Sequence, residues 1–327
     1  MPPLLTICVM THDRPEFIED CLRSILAQTF KDYRLVVLHD PGKKEYGAIL
    51  SQFSDRRMIY LKHERNIGQI ANVQAAFQNY LDSKYLMVFH DDDMMHPQLV
   101  EFEIDIMEKY GDLQFVASES IVFLDSDDLP PYSCASSEAH VFEDVSQLAL
   151  ELLRGARLHF GSTMYRTSAL PEFNWPEFER KYSPIFDRAL LLQAASPGRS
   201  ALLRSRMVFY RLHENQVSAN LWTKEEHFIN LYGLYRGALE PNWDLKSAYV
   251  FYKHSGYWLP WTYKRLDPHH RSPFLTFVRK CRRSGILCVP FMLFFLAWNL
   301  EIEMAHALRT ILPKSIYDRL RNLRLGS

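Results

Sequence analysis

The chain has 327 residues, 47% of them apolar, enough for a sizeable core in one large domain or two smaller ones. A formal net charge of −1 leaves no general basic face, which excludes a broad nucleic-acid binder. Five cysteines (Cys8, Cys21, Cys134, Cys281 and Cys288) with no C-x-x-C spacing argue against a disulfide framework or a zinc site and for a reducing compartment. No basic region followed by a long apolar run opens the chain, so no secretory signal is expected.

In chain order, "LLTICVM" reads as a short apolar strand. "RPEFIEDCLRSILAQ" follows with Phe17, Cys21 and Ile25 at helical spacing and Asp13 or Pro15 near its start. "YRLVVLHD" is a second strand, stopped by Pro-Gly at 41 and 42. "YGAILSQF" is a short helix and "RMIYLKH" a third strand. "IGQIANVQAAFQNYLD" is a helix with Ile70, Val73, Phe77, Tyr80 and Leu81 on one stripe. "KYLMVFH" is a fourth strand, apolar throughout, as a central strand covered on both faces would be. "HPQLVEFEIDIMEKY" is a helix ended by Gly111. Further on, "FVASESIVFLD", "LHFGSTMYRT" and "SALLRSRMVFYRLH" read as strands, and "DVSQLALELLRG" and "PIFDRALLLQAAS" as helices.

Strands alternating with helices imply parallel βαβ units in a layered α/β sheet. Ligands of such sheets bind outside the carboxyl ends of the strands. That rule lines up "MTHDR", "LHDPG", "HERNIG" and "HDDDMMHP" along one crevice, each directly after an apolar run.

In the last of these, three aspartates in a row, Asp91, Asp92 and Asp93, repel one another unless a cation stands nearby. Carboxylates on a strand-end loop suit Mg²⁺ or Mn²⁺, hard ions that take oxygen ligands and often share them with substrate phosphates. Successive residues point in different directions, so one or two would hold the ion and a neighbour would support the loop. A cap on the following helix is the plainer use of Asp93.

The order of motifs resembles glycosyltransferase family 2, with the GT-A fold. The likeness runs over about residues 4 to 220. It rests on "ICVMTHDRPEFIEDCLRSILAQTFKDYRLVVLHDPG", "NIGQIANVQAAF", "VFHDDDMMHP", "FDRALLLQAA" and "YRLHENQVS". The resemblance implies a Rossmann-like, mostly parallel central sheet flanked by helices. It also implies a nucleotide-diphosphate sugar donor, Mn²⁺ or Mg²⁺, inversion at the anomeric carbon, and a saccharide or lipid-linked saccharide acceptor of the kind used in bacterial surface polysaccharide or glycolipid synthesis. Carried over residue by residue, Thr11, Asp13, Arg14, Asp40, Asn66, Gly68, Asn72 and Asp91 would bind the nucleotide-sugar. Asp92, Asp93 and His213 would form the metal site, and Asp187 would be the catalytic base, with Glu172, Glu177 and Glu179 as rivals.

Three positions depart from the family pattern. His39 stands where the first of two aspartates is common, His90 where the first Asp of the D-x-D motif is common, and Val73–Gln74 where an arginine is often found. Plainer roles also exist: Thr11 and Asp13 as caps of the first helix, Asp40 as a turn former, Asn66 and Gly68 as a turn, Asp187 as a first-turn acid favoured by the helix dipole, and Arg211 as the partner of a structural acid rather than of diphosphate. Two alternatives to transfer are a catalytically silent nucleotide-sugar-binding module, against which the triple Asp, Asp187 and His213 count, and a nucleotidyl- or phosphoryl-transfer enzyme, against which the lack of glycine in "MTHDRP" counts.

From about residue 220 the chain turns rich in Trp, Tyr, Lys and Arg. Residues 1–220 are therefore expected to be the catalytic domain and 221–327 a mainly helical region. "GILCVPFMLFFLAWNL" (285–300), preceded by "RKCRRS", is shorter than the roughly 20 residues a spanning helix needs. It is either a buried helix or a membrane-surface segment, which would make 279–300 a peripheral membrane contact.

Overall fold

A computed structural model of the chain describes residues 2–124, 138–156, 158–213, 225–244 and 246–251. The apolar 285–300 segment and its basic flank lie outside them. Among the described residues no helix is long and apolar enough to cross a membrane.

The elements in order are β1 (Leu5–Thr11), α1 (Pro15–Leu26), β2 (Tyr33–His39), α2 (Gly47–Leu50), β3 (Met58–Lys62), α3 (Gln69–Asn79), β4 (Tyr85–His90), β5 (Met94–Met95), α4 (Leu99–Lys109), β6 (Phe115–Phe123), β7 (Ala139–Phe142), α5 (Val145–Leu153), β8 (Met164–Arg166), α6 (Trp175–Glu177), α7 (Phe186–Ala195), β9 (Ser200–Arg211) and α8 (Glu225–Leu239). They form a nine-stranded sheet in the order β3-β2-β1-β4-β8-β6-β9-β5, with β7 on β9. β3, β2, β1 and β4 run parallel to one another, as do β6 and β9. β8 runs antiparallel between β4 and β6, and β5 and β7 are antiparallel to β9.

The chain moves outward from β1 through β2 to β3, then returns to place β4 on the other side of β1. That reversal is the switch point at which open α/β sheets bind ligands. Register puts the strand ends level: Thr11 opposite His39, Met10 opposite His90, and His39 opposite Lys62. The polar stretches after these strands therefore share one edge.

The sheet is covered on both faces. On one, Leu5, Ile7, Val9, Leu35, Val37, Met87 and Phe89 join the buried stripe Ile18, Cys21, Leu22 and Ile25 of α1 and the Leu99, Val100 and Met107 side of α4. Those α1 residues fall at i, i+3, i+4 and i+7, the helical spacing that buries one face. On the other, α3 turns Ile70, Val73 and Phe77 inward. β4 is buried from Tyr85 to Phe89, as its unbroken apolarity predicts.

Three local expectations change. "LHFGSTMYRT" is not one strand: a 3₁₀ turn at Phe160–Ser162 precedes the short β8. α4 ends at Lys109 with Tyr110 as its cap, and Gly111 does not take a left-handed conformation. Asp93 does not cap α4, whose N-cap is Gln98 without a side-chain bond. The first compact unit runs Met1–Trp243 and takes in α8, beyond the composition change near residue 220; Asp244–Ser327 form the second.

Candidate active site

The site is assembled where β1, β4 and β9 end. Asp91 and Asp93 are fully buried and Asp92 is 6% exposed. Bare carboxylates at that depth are costly, and the surrounding groups answer the cost. Arg14, after β1, pairs through Nη2 with Asp91 Oδ1 at 2.9 Å and through Nη1 with Asp92. The main-chain amide of His12 donates to Asp91 Oδ2 at 3.3 Å. His213, just past β9, places Nε2 3.1 Å from Asp92 Oδ2, and its ring packs on Phe17. His159 Nε2 lies 3.1 Å from Asp93 Oδ2, while Asp93 Oδ1 accepts the Arg211 amide at 3.0 Å.

The three aspartates are thus unequal. Burial raises the Asp91 carboxyl above its ordinary value, with Arg14 pulling the other way. Burial pushes Asp92 in the same direction, but Arg14, helped by His90 and His213, outweighs it and holds Asp92 below the ordinary carboxylate value. Of Asp91 and Asp92, it is therefore Asp92 that is held as an anion. Burial also lowers the His90 imidazole, leaving it neutral at pH 7.

A second cluster lies beside the first. Asp40 accepts the amides of Ile67 at 2.7 Å and Gly68 at 3.0 Å, and Gly68 adopts φ 84°, which suits glycine. Asn72 is buried, donates to the Leu38 carbonyl at 3.2 Å and has its Oδ1 2.9 Å from His63 Nε2. Asn66 Nδ2 donates to the Pro41 carbonyl at 3.2 Å. Asp40 and Asn72 therefore spend their polar atoms on the loops that shape this edge. His12 joins the clusters, since its Nδ1 lies 2.9 Å from the Asp40 carbonyl while its amide serves Asp91.

Thr11 is buried at the end of β1. It does not cap α1, and neither does Asp13: the N-cap is Arg14, with no side-chain bond. Asp13 takes φ 53°, accepts the Lys44 amide at 2.9 Å and abuts Gly42, where an added Cβ would stand 2.2 Å from its Oδ1. It braces the loop after β2 and makes no bond to the aspartates. Asp187 occupies the first turn of α7. Its neighbour Phe186 packs on Phe160, which packs on His90, so the helix start is keyed to the site through rings.

Of two further residues at the centre, His159 had no assigned role in the sequence. His159 lies in the stretch read as a strand. Arg211, ambiguous in sequence, pairs with Asp20 at 2.9 Å, the structural acid of the plainer reading. His39 is a packing residue: buried, 2.6 Å from the Tyr60 hydroxyl through Nδ1 and against the Tyr46 ring.

The helix-covered, mostly parallel sheet with carboxylates at its switch point has the GT-A fold. Residues 6–118 match the family described as "Glycosyl transferase family 2". It is 31% identical over 120 residues to an uncharacterised glycosyltransferase of Methanocaldococcus jannaschii, a match covering 36% of this chain and 41% of that one. It is 22% identical over 205 residues to an uncharacterised glycosyltransferase of Rickettsia prowazekii, covering 59% of this chain and 64% of that one. The chain thus spans less than two thirds of the length of these relatives. In structure it is similar to residues 1–349 of S. aureus TarS in complex with UDP-GlcNAc. The TM-score is 0.57 at 12% identity, over 84% of this chain and 79% of that one, which is a likeness of fold.

Proposed function

We propose that the chain is an inverting, metal-dependent glycosyltransferase that moves a sugar from a nucleotide-diphosphate donor to an acceptor hydroxyl. One observation carries this reading: a ring nitrogen of His90 and carboxylate oxygens of Asp92 and Asp93 converge within 4.8 Å at the switch point of the sheet. Such a donor set fits a divalent ion, and Asp92 is held as an anion there. His90, Asp92 and Asp93 would hold the ion, with His213 adjoining through Asp92. When bound, it would neutralise charge that develops on the leaving diphosphate.

The chain's own residues supply the rest. Arg14 orients Asp91 and Asp92 and adds positive charge beside the phosphates. Thr11, Asp40, Asn66, Gly68 and Asn72 form the neighbouring wall, against which the base and ribose lie in this reading. Asp187 accepts the proton of the attacking hydroxyl, a role worth about 10²–10⁴-fold in rate. One direct displacement inverts the anomeric carbon. A saccharide or lipid-linked saccharide acceptor is proposed from the basic and apolar segment at 279–300; co-sedimentation of the full chain with anionic vesicles tests the lipid-linked form, which fails if a chain cut near residue 270 sediments equally.

The deciding experiment incubates the full chain with a panel of nucleotide-diphosphate sugars and Mn²⁺. Expected are release of nucleotide from one donor, loss of activity with chelator, and a product of inverted configuration by NMR. Retained configuration, or turnover indifferent to chelator, would overturn the reading.

A further inference from the structure

His90 is the last residue of β4, opposite Met10 of β1, and stands directly before the three aspartates. Its Nε2 is buried with no hydrogen-bond partner among the described residues. An unsatisfied buried polar atom costs about 1–3 kcal/mol, so its retention needs a reason. The ring is held in place: it packs on Phe160 with centroids 5.8 Å apart and stands across the His159 ring at 6.4 Å. His159 in turn fixes Asp93.

The spacing fits a shared ion. The candidate donor atoms of His90, Asp92 and Asp93 all lie within 4.8 Å of one another. Ligands about 2.1–2.3 Å from one cation stand roughly 3–4.5 Å apart, so a small inward movement closes the set.

We infer that His90 is itself a metal ligand and makes this an imidazole–carboxylate site that prefers Mn²⁺ and Co²⁺ to Mg²⁺. This rests on the metal-dependent reading above and deepens it. Mg²⁺ dehydrates reluctantly and takes oxygen ligands, whereas imidazole suits later first-row ions, whose affinity for a given site rises from Mn²⁺ to Co²⁺. A neutral ring at this position also supplies one negative charge fewer than a carboxylate would, which costs a hard ion most.

The test uses the full chain, stripped with chelator and titrated with Mn²⁺ in the presence of UDP or GDP. Bound Mn²⁺ is read by electron paramagnetic resonance, with Mg²⁺ and Co²⁺ as competitors. Expected for the native protein is a preference of Mn²⁺ over Mg²⁺ of at least about tenfold, with ¹⁴N modulation from coordinated imidazole. That modulation should persist in His213→Asn and vanish in the double variant with His90→Asn. His90→Asp should keep Mn²⁺ binding while bringing Mg²⁺ affinity up about tenfold.

Wild-type ion ratios in both His90→Asp and His90→Asn, with no ¹⁴N signal in His213→Asn, would overturn the inference and leave metal dependence intact. No ion bound by the native protein, together with chelator-insensitive donor turnover, removes both. If a His90 variant does not fold, His213→Asn alone decides: ¹⁴N modulation from its bound Mn²⁺ supports His90 as a ligand, and absence of that modulation excludes it.

Discussion

The main-chain amide of Arg211 donates to Asp93 Oδ1 at 3.0 Å, which ties the end of β9 to the acidic loop after β4. The side chain of Arg211 secures the same loop from a second direction. Its Nε donates to the Asp92 carbonyl at 3.0 Å, its Nη2 pairs with Asp20, and its guanidinium lies over the rings of Phe17 and Phe123. A lysine supplies one point charge and no planar fork, so it cannot replace all of these. Arg211→Lys is expected to lower divalent-ion affinity about 10–100-fold, the usual cost of losing a partner that orients a metal ligand. Calorimetric titration with Mn²⁺ checks this; unchanged affinity would mean that the loop holds its shape without Arg211.

Arg14 is the cation nearest the paired carboxylates, in contact with both Asp91 and Asp92. Arg14→Met leaves those buried acids without it, which is expected to cost on the order of 3 kcal/mol of stability at pH 7 in the absence of metal. Added Mn²⁺ replaces part of the missing charge, so the variant should gain more from the ion than the native protein does. Urea unfolding with and without Mn²⁺ measures both increments. Equal gains in the two proteins would show that Arg14 and the ion do not share the aspartates.

Asp92 and Asp187 have different tasks in the proposed reaction, and their variants should separate. Asp92→Asn is expected to weaken metal-dependent donor binding and lower turnover together. Asp187→Asn is expected to leave donor affinity within about threefold of native and to lower kcat by about 10²–10⁴. Nucleotide release at several donor concentrations gives the split. A full-speed Asp187→Asn would transfer the role of base to one of Glu172, Glu177 or Glu179.

The strand-end cluster was legible because its cause is local: three adjacent acids after a fully apolar strand are improbable without a cation. Motif order pointed to Arg14 and His213, which stand three residues past β1 and two past β9 and reach the aspartates from there. His159 was not, because it reaches Asp93 through a 3₁₀ turn that carries no sequence period. The roles of Asp40 and Asn72 were hidden for another reason. Their residue types fit a nucleotide contact and a loop brace alike, and the bracing hydrogen bonds to Ile67, Gly68, Leu38 and His63 have no sequence signature. β8 lies inside the stretch read as a strand, but its antiparallel place between β4 and β6 was not legible, because three residues carry no mark of direction or neighbour.

Glu103 lies on α4, fully buried, and neither carboxyl oxygen finds a hydrogen-bond partner among the described residues. Burial drives its carboxyl well above the ordinary glutamate range, so the folded protein keeps this proton to a higher pH than the unfolded chain does. The folded-state value is raised, and the sign follows from that. Below about pH 4.3 the folded and unfolded chains both hold the proton, and Glu103 adds no pH dependence. Above it the unfolded chain releases the proton while the native state keeps it, so native stability falls by about 1.4 kcal/mol per pH unit until the folded-state value is passed. Glu103→Gln removes this term with little change of shape. The difference in unfolding free energy between Glu103→Gln and the native protein should therefore grow in favour of the variant between pH 5 and pH 7.5. Parallel stability curves over that range would show that Glu103 is ionised in the folded protein and has found a counter-charge.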